Sequence, residues 1–285
     1  MKVWLDGQVL NAEDARIPVD DHGLLYGDGV FEGLRSYDGR VFRLAGHLER
    51  LEVSARAIGL ELPGGRSALA GIVHETLEAS GLEDAYIRLL VTRGSGPLGV
   101  DPTVCGPARV VCMIDRVSLY APDVVRRGLD LVTVSVRRAP PDGLDSRVKS
   151  LNYLVSVLAK REARLRGADE ALLLNGAGLV AEAAVANVFV WRRGVLRTPP
   201  VTDGALEGVT RDAIFELAGG LAISAEECSL GRIDLLGADE VFLTGTGIQI
   251  VPVRSLDGAE LGSERPGPLT AKLSAAFEEL VRASE

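Results

Sequence analysis

Cysteine is scarce in this chain of 285 residues, which contains only three. Cys105, Cys112 and Cys228 are odd in number and lack the spacing of metal ligands. Neither a disulfide framework nor a zinc site is therefore indicated. We expect all three to be small buried hydrophobic residues.

Histidine is equally scarce. His22, His47 and His74 stand in no metal-binding or catalytic-triad signature, which leaves little basis for zinc hydrolysis or for a serine or cysteine nucleophile. We expect His74 at the surface of its helix. Gly27-Asp28-Gly29 does not have the spacing of a dinucleotide fingerprint, and a strand rather than a helix follows it.

Long apolar runs and an excess of positive charge are also missing. No run approaches the length of a membrane span, and Met1–Leu5 has the pattern of a strand rather than of a signal peptide. The formal net charge is -9, and the basic residues are scattered, so nucleic acid and anionic membranes are poor candidate partners. We expect a cytoplasmic protein that binds neither.

The composition suits a globular protein, with 47% hydrophobic and 25% charged residues. Its length predicts two domains. We predict an α/β (α+β) fold with a small N-terminal domain over 1–117, a linker over 118–127 that contains Pro122, and a larger C-terminal domain over 128–285.

The apolar periodicity predicts the secondary structure of both domains. Asp38-Gly39, Asn175–Gly178 and Arg192–Gly194 have the composition of hairpin turns. Helices are predicted over 45–58, 66–80, 151–166, 210–218 and 269–283. Strands are predicted over 30–36, 40–43, 84–92, 108–114, 129–136, 170–174, 179–182, 187–191, 195–198, 240–244 and 248–253.

Lys149 is the first candidate for chemistry. A lysine near a helix start is usually solvated, and Lys160 in the same helix is expected to be so. Apolar strand residues precede Lys149 and a strongly patterned helix follows it. We therefore expect its amine at a domain seam, where a desolvated amine can act as a nucleophile and proton carrier.

Three other features allow both a structural and a functional interpretation. Glu182 could pair with a nearby arginine, or it could face the ring nitrogen of a cofactor. Gly208-Val209-Thr210 opens a helix whose free N–H groups suit a phosphate, although Thr210 could be a plain N-cap. The same ambiguity covers the glycine-rich turn Thr244–Gly247.

The order of these features resembles that of the class IV (fold type IV) pyridoxal-phosphate-dependent aminotransferases, the family of the D-amino-acid and branched-chain enzymes. The resemblance extends over nearly the whole chain. The segments that carry it are Asp21–Arg35, His47–Leu51, Tyr86–Arg88, Arg147–Tyr153, Val180–Glu182, Gly208–Arg211 and Thr244–Thr246.

The resemblance implies pyridoxal 5'-phosphate as cofactor and assigns a role to each matching residue. Lys149 would bind the cofactor covalently and move the proton between substrate and cofactor. Glu182 would contact the pyridine nitrogen and Tyr153 the phenolic oxygen. The residues implied for the phosphate are Arg50, Val209 through its N–H, Thr210 and Thr246.

Within the family, two features favour a branched-chain enzyme that transfers the amino group of Leu, Ile or Val to 2-oxoglutarate by a ping-pong mechanism. These are Tyr86-Ile87-Arg88, whose arginine can meet the side-chain carboxylate of glutamate, and Tyr153. D-amino-acid enzymes typically have leucine at the latter position, and aminodeoxychorismate lyases often have arginine. Both remain alternatives.

The resemblance also predicts the substrate site and a homodimer, or a higher homo-oligomer, in which a loop of the neighbouring subunit completes each active site. Val185 replaces a common glycine, and Gly247-Ile248 departs from the usual Ala-Ala, so both could reshape the site. The residues predicted to contact substrate are Tyr26, Phe31, Arg35, Tyr86, Arg88, Val185, Thr246 and Gly247.

Overall fold

The structure is a computed structural model that describes residues 1–117, 120–140 and 142–283. Two compact units are present. The first contains Met1–Val117, Val148–Asn152 and the end of the last helix, and the second contains 120–140, 142–147 and Tyr153–Val281. Residues 118 and 119 of the predicted linker lie outside the described residues. The end of that linker is a short helix of the second unit, α4 (Pro122–Arg127).

The first unit is a six-stranded sheet whose paired strands all run antiparallel, in the order β2-β1-β6-β5-β3-β4. Asp38 and Gly39 form the predicted turn between β3 and β4, with φ angles of 49° and 77° that suit a two-residue hairpin. The elements are β1 (Lys2–Leu5), β2 (Gln8–Asn11), α1 (His22–Tyr26), β3 (Gly29–Tyr37), β4 (Arg40–Val41), α2 (Leu44–Ala57), α3 (Gly65–Ser80), β5 (Ala85–Thr92) and β6 (Arg109–Arg116).

One face of this sheet is covered by α2 and α3. Because successive residues of a strand point to opposite faces, Val30, Glu32 and Leu34 of β3 share the covered face. Val30 and Leu34 belong to a core that includes Leu48, Leu51, Leu69, Val73, Ile87 and Leu89. Glu32 is therefore a carboxylate inserted among apolar neighbours, which requires charged or hydrogen-bonded partners.

The second unit contains a mixed sheet in the order β12-β11-β10-β13-β14-β7-β8-β9, with β15 beside β14. Three of its strand pairs are parallel: β11 with β12, β14 with β7, and β7 with β8. The remaining elements are β7 (Leu129–Arg137), α5 (Leu154–Leu165), β8 (Glu170–Leu174), β9 (Val180–Ala183), β10 (Asn187–Arg192), β11 (Val195–Thr198), α6 (Val209–Gly220), β12 (Ser224–Glu227), α7 (Arg232–Leu236), β13 (Glu240–Gly245), β14 (Gln249–Leu256), β15 (Ala259–Glu260) and α8 (Pro268–Ala283).

The helix predicted from Leu151 begins three residues later, at Leu154. The N–H of Leu151 donates instead to the carbonyl of Gly29, at 2.9 Å. The side chain of Asn152 donates to the carbonyl of Gly27, at 3.0 Å. These long-range hydrogen bonds override the helical pattern of the local sequence.

Two expectations about single residues are wrong. Only Cys112 is a buried cysteine; Cys105 and Cys228 are partly exposed, and Sγ of Cys105 lies 3.2 Å from Nδ1 of His22. Lys160 is not a freely solvated side chain, because its Nζ lies 2.6 Å from the carboxylate of Glu170, which is only 1% exposed. A buried carboxylate needs such a partner.

Across the described residues, no helix is long and apolar enough to cross a bilayer. The same residues contain no group of three or more His, Cys, Asp or Glu side chains arranged to hold a metal ion.

Candidate active site

Lys149 lies in a segment that pairs with the beginning of β3. The N–H of Phe31 donates to the carbonyl of Lys149, at 3.0 Å. The N–H of Lys149 donates to Oγ of Ser54 in α2, at 3.1 Å. Its side chain is half-buried, with Nζ 4.6 Å from the centre of the Phe31 ring. The backbone that carries this amine is thus fixed by both β3 and α2.

Glu32, His47 and Arg50 form a buried charged cluster in the same unit. Glu32 accepts hydrogen bonds from Nδ1 of His47 at 2.8 Å and from Nε and Nη2 of Arg50, each at 2.7 Å. His47 and Arg50 are three residues apart on α2, so both side chains lie on the helix face that meets β3. The contact with Arg50 is bidentate, which fixes the plane of its guanidinium.

This cluster holds unusual protonation equilibria. Burial raises the pKa of Glu32, but the charge of Arg50 and the hydrogen bonds from His47 and Arg50 outweigh it and lower that pKa to about 2. Burial lowers the pKa of His47, and with the positive charges of Arg50 and Lys149 it outweighs the hydrogen bond and the charge of Glu32, which act in the opposite direction. Glu32 is therefore ionised, and His47 is neutral and donates through Nδ1.

Four of the residues predicted to contact substrate lie on the face of the sheet opposite α2 and α3. Phe31 and Arg35 are on β3, with Gly33 between them on the same face. On β5, Arg88 is the cross-strand partner of Gly33, and Tyr86 is the partner of Arg35. The guanidinium of Arg88 lies 4.5 Å from the centre of the Phe31 ring, and its Nη2 donates to the Tyr86 hydroxyl at 3.0 Å. An aromatic surface and a cation thus stand side by side.

Tyr26 lies at the end of α1 and is 38% exposed. Its hydroxyl accepts a hydrogen bond from the N–H of Gly99, at 2.9 Å. This contact joins the helix to the glycine-containing loop that follows β5.

In the second unit, Glu182 is only 3% exposed and has several partners. Its Oε2 accepts from the N–H of Leu206 at 2.9 Å and from Nδ2 of Asn187 at 3.3 Å, and its Oε1 pairs with Arg138. Nδ2 of Asn187 also donates to the carbonyl of Leu206, at 2.8 Å. The arginine pairing considered for Glu182 is therefore present.

Tyr153 is the residue before α5, and its side chain is half-buried. Burial lowers the pKa of the Arg138 guanidinium, and the phenol of Tyr153 is close enough to act in the opposite direction. The arginine that pairs with Glu182 is thus also within electrostatic range of Tyr153. Neither Arg138 nor Asn187 was predicted as a site residue from the sequence, although Asn187 opens the strand that follows Glu182.

The N-terminus of α6 lies beside Asn187. Gly208 is the N-cap and has no side chain to cap the helix, so Thr210 is not the N-cap. A Cβ at Gly208 would stand 2.2 Å from Oδ1 of Asn187. The first N–H groups of the helix, with the buried hydroxyl of Thr210, form the arrangement that binds a phosphate.

The turn between β13 and β14 completes this region. Asn187 is the cross-strand partner of Thr244, whose buried Oγ1 makes no hydrogen bond to any described group. Thr246 and Gly247 lie in the turn itself and are partly exposed, and Val185 is 59% exposed. A Cβ at Gly245 would stand 3.5 Å from the carbonyl of Val185, so these segments adjoin.

Comparison with known proteins decides the family. The model of the amino-transferase class IV family matches residues 29–256. The chain belongs to the class IV aminotransferases.

Relatives of this class IV aminotransferase align over almost the whole chain. A Methanocaldococcus jannaschii protein assigned provisionally as a branched-chain-amino-acid aminotransferase is 46% identical over 98% of this chain and 96% of its own length. The branched-chain amino acid aminotransferase of Escherichia coli superposes with a TM-score of 0.94 at 37% identity, covering 98% of this chain and 94% of that structure. This chain therefore has the same mixed α/β fold as the Escherichia coli enzyme.

Two further relatives bear on the chemistry. A branched-chain amino acid aminotransferase from T.th., in complex with N-(5'-phosphopyridoxyl)-L-glutamate, has a TM-score of 0.92 and 35% identity, covering 98% of this chain and 93% of that structure. A D-alanine aminotransferase of Bacillus licheniformis is 33% identical over 98% of this chain and 96% of its own length.

In this class IV aminotransferase, the site residues predicted from the sequence are divided between the two units. Lys149, Arg50 and the residues at 26, 31, 35, 86 and 88 belong to the first unit. Those at 153, 182, 185, 209, 210, 246 and 247 belong to the second. Each unit also contains residues that contact the predicted ones and were not themselves predicted. In the first unit, Glu32 binds both His47 and Arg50. In the second, Arg138 and Asn187 contact Glu182.

Proposed function

We propose that this protein is a pyridoxal-phosphate-dependent transaminase that moves the amino group of a branched-chain L-amino acid to 2-oxoglutarate. The observation that carries the proposal is on the sheet face opposite α2 and α3, where the ring of Phe31 and the guanidinium of Arg88 lie 4.5 Å apart. A ping-pong enzyme of this kind must accept an aliphatic side chain in one half-reaction and a carboxylate in the other. An aromatic ring and a cation at one place suit both.

The residues present suit the three functional groups of pyridoxal phosphate, namely its aldehyde, its phosphate and its ring nitrogen. Lys149 offers an amine for the aldehyde, and the N-terminus of α6 with Thr210 offers donors for the phosphate. The Glu182 carboxylate offers an acceptor for a protonated ring nitrogen, since a carboxylate has about four lone-pair sites and can accept beyond its present partners. The buried Oγ1 of Thr244, which bonds to no described group, adds a further polar atom to this region.

When bound, pyridoxal phosphate supplies the electron sink that makes the substrate α-proton removable. In this proposal, the amine of Lys149 would hold the cofactor and would carry that proton, and the backbone hydrogen bonds to β3 and α2 would keep the amine in position. Glu182 keeps the ring nitrogen protonated, and Tyr153 contacts the phenolic oxygen. The phosphate ligands are Arg50, Thr210, Thr246 and the N–H of Val209.

For the substrate, we propose that Arg88 binds the side-chain carboxylate of glutamate or 2-oxoglutarate and that Phe31 packs against an aliphatic side chain. Tyr26 and Arg35 lie in the same unit, and we assign them to the substrate as well. Val185 and Gly247 would limit the size of the side chain that is accepted.

The test is a transamination assay with 2-oxoglutarate as acceptor, with L-leucine and D-alanine supplied separately as donors. The proposal expects glutamate from L-leucine and little from D-alanine. The reverse preference would make the protein a D-amino-acid aminotransferase, an alternative that the D-alanine aminotransferase relative supports. Release of pyruvate from aminodeoxychorismate without any oxo-acid acceptor would indicate a lyase.

We also propose a homodimer. Helix α1 and the loops of the first unit expose apolar side chains that a partner would cover. These include Val19, Leu24, Leu98 and Val100, which are 66% to 86% exposed. Light scattering should give about twice the 30.2 kDa mass of the chain. The cytoplasmic location stays a prediction that cell fractionation would check.

A further inference from the structure

We propose that Gly33 determines the specificity of this site for acidic substrates, because only glycine at this position lets the Tyr86 hydroxyl hold Arg88 in place. The inference rests on the proposed function, in which Arg88 receives the substrate carboxylate. It concerns a residue that touches neither cofactor nor reacting atoms, so its role is to position Arg88 through Tyr86.

Gly33, Tyr86 and Arg88 share the sheet face opposite α2 and α3. Gly33 and Arg88 are cross-strand partners, and Tyr86 stands two pairs further along, opposite Arg35 and on the same face. A Cβ at Gly33 would stand 2.5 Å from the Tyr86 hydroxyl oxygen and 3.2 Å from Cζ of the same ring. The end of the tyrosine therefore occupies the space that any other residue at position 33 would fill.

That hydroxyl has a specific partner. Nη2 of Arg88 donates to it at 3.0 Å, while the guanidinium lies against Phe31 at 4.5 Å. The ring fixes the height of the guanidinium above the sheet, and the hydroxyl fixes its position along the sheet. Arg88 thereby presents its remaining N–H groups in one orientation, which a bidentate contact with a carboxylate requires.

An alanine at position 33 would move the hydroxyl rather than break the fold. Gly33 lies in a regular strand and its φ angle is not positive, so the backbone can accommodate alanine at this position. To reach ordinary contact distance, the tyrosine oxygen has to move by roughly 1 Å, which tilts the ring away from Arg88. The predicted loss is confined to ligands whose side chain carries a carboxylate.

The experiment measures equilibrium binding to the holoenzyme by calorimetry, with glutarate as the dicarboxylate probe and 4-methylvalerate as the aliphatic one. We expect Gly33→Ala to lower the affinity ratio of glutarate to 4-methylvalerate on the order of tenfold, the value of one hydrogen bond to a charged group. Gly46→Ala is the control, because it lies in α2 of the same unit and a Cβ there meets nothing within 4 Å.

A double variant isolates the route through the hydroxyl. Tyr86→Phe removes the hydrogen bond and the hydroxyl that lies 2.5 Å from the Cβ, and it leaves only the 3.2 Å contact with Cζ. Gly33→Ala in that background has no hydroxyl to displace, so it should cause little further loss of the ratio. An unchanged ratio in the single variant, an equal loss in Gly46→Ala, or additive losses in the double variant would each overturn the inference. Failure of the wild type to convert L-leucine would instead overturn the proposed function, while the glutarate comparison would still report on Gly33.

Discussion

Replacing Glu32 with glutamine tests whether the buried cluster with His47 and Arg50 is held together by charge. The side chain of Glu32 is fully buried and accepts three hydrogen bonds of 2.7 to 2.8 Å. Glutamine has almost the same shape but no charge, and its amide nitrogen cannot accept. At least one donor of Arg50 or His47 is then left buried without an acceptor.

The magnitude follows from the pKa of Glu32, which the folded protein lowers from 4.5 to about 2. That fall corresponds to about 3 kcal/mol of folding free energy at neutral pH. Breaking a buried ion pair by removing one partner costs about 3–5 kcal/mol, which agrees. Because the folded pKa lies below the unfolded one, this stabilisation is complete above pH 4.5 and is lost as the pH falls toward 2.

Urea unfolding followed by circular dichroism at several pH values is the assay. The wild type should exceed Glu32→Gln by about 3 kcal/mol at roughly pH 7.5 and pH 5.5, and the gap should narrow below about pH 4.5. Glu49→Gln, at an exposed position on α2, the helix that carries His47 and Arg50, should match the wild type. A gap under about 1 kcal/mol at roughly pH 7.5, or one that has already closed at about pH 5.5, would refute the reasoning.

Two further predictions concern the second unit. Gly208→Ala places a Cβ 2.2 Å from Oδ1 of Asn187, so we expect pyridoxal phosphate to bind on the order of tenfold more weakly in a fluorescence titration. The control is Gly219→Ala, where a Cβ meets nothing within 4 Å. Equal affinities of the two variants would count against an anion site at α6. Lys160→Met leaves the buried carboxylate of Glu170 without its cation, so urea unfolding should show a loss of about 3 kcal/mol, and no loss would mean that the ion pair is not stabilising.

Features encoded by neighbouring residues could be predicted from the sequence. The turn at Asp38-Gly39 and the helices around Leu51 and Leu69 follow from local composition and from apolar spacing, and the structure confirms them. The start of α5 could not be predicted, because the N–H of Leu151 donates to the carbonyl of Gly29, which is distant in the sequence and holds this residue outside the helix. No local pattern records such a partner.

The supports of the candidate site were missed for the same reason. Glu32 meets His47 only because β3 packs under α2, and Arg138 meets Glu182 only through the arrangement of the second sheet. The spacing of His47 and Arg50 on one helix face is a usable signal, but it does not identify the carboxylate that they share. Strand register and packing decide which carboxylate faces the helix, and the spacing of apolar residues in the local sequence predicts neither.

Borohydride reduction tests directly whether Lys149 carries the cofactor. Protein reconstituted with pyridoxal phosphate, reduced with borohydride and digested should yield a phosphopyridoxyl group on the peptide that contains Lys149, as read by mass spectrometry. Lys149→Ala should yield none, while Lys160→Met should be labelled like the wild type. A label on another lysine, or an unlabelled wild type, would contradict the account.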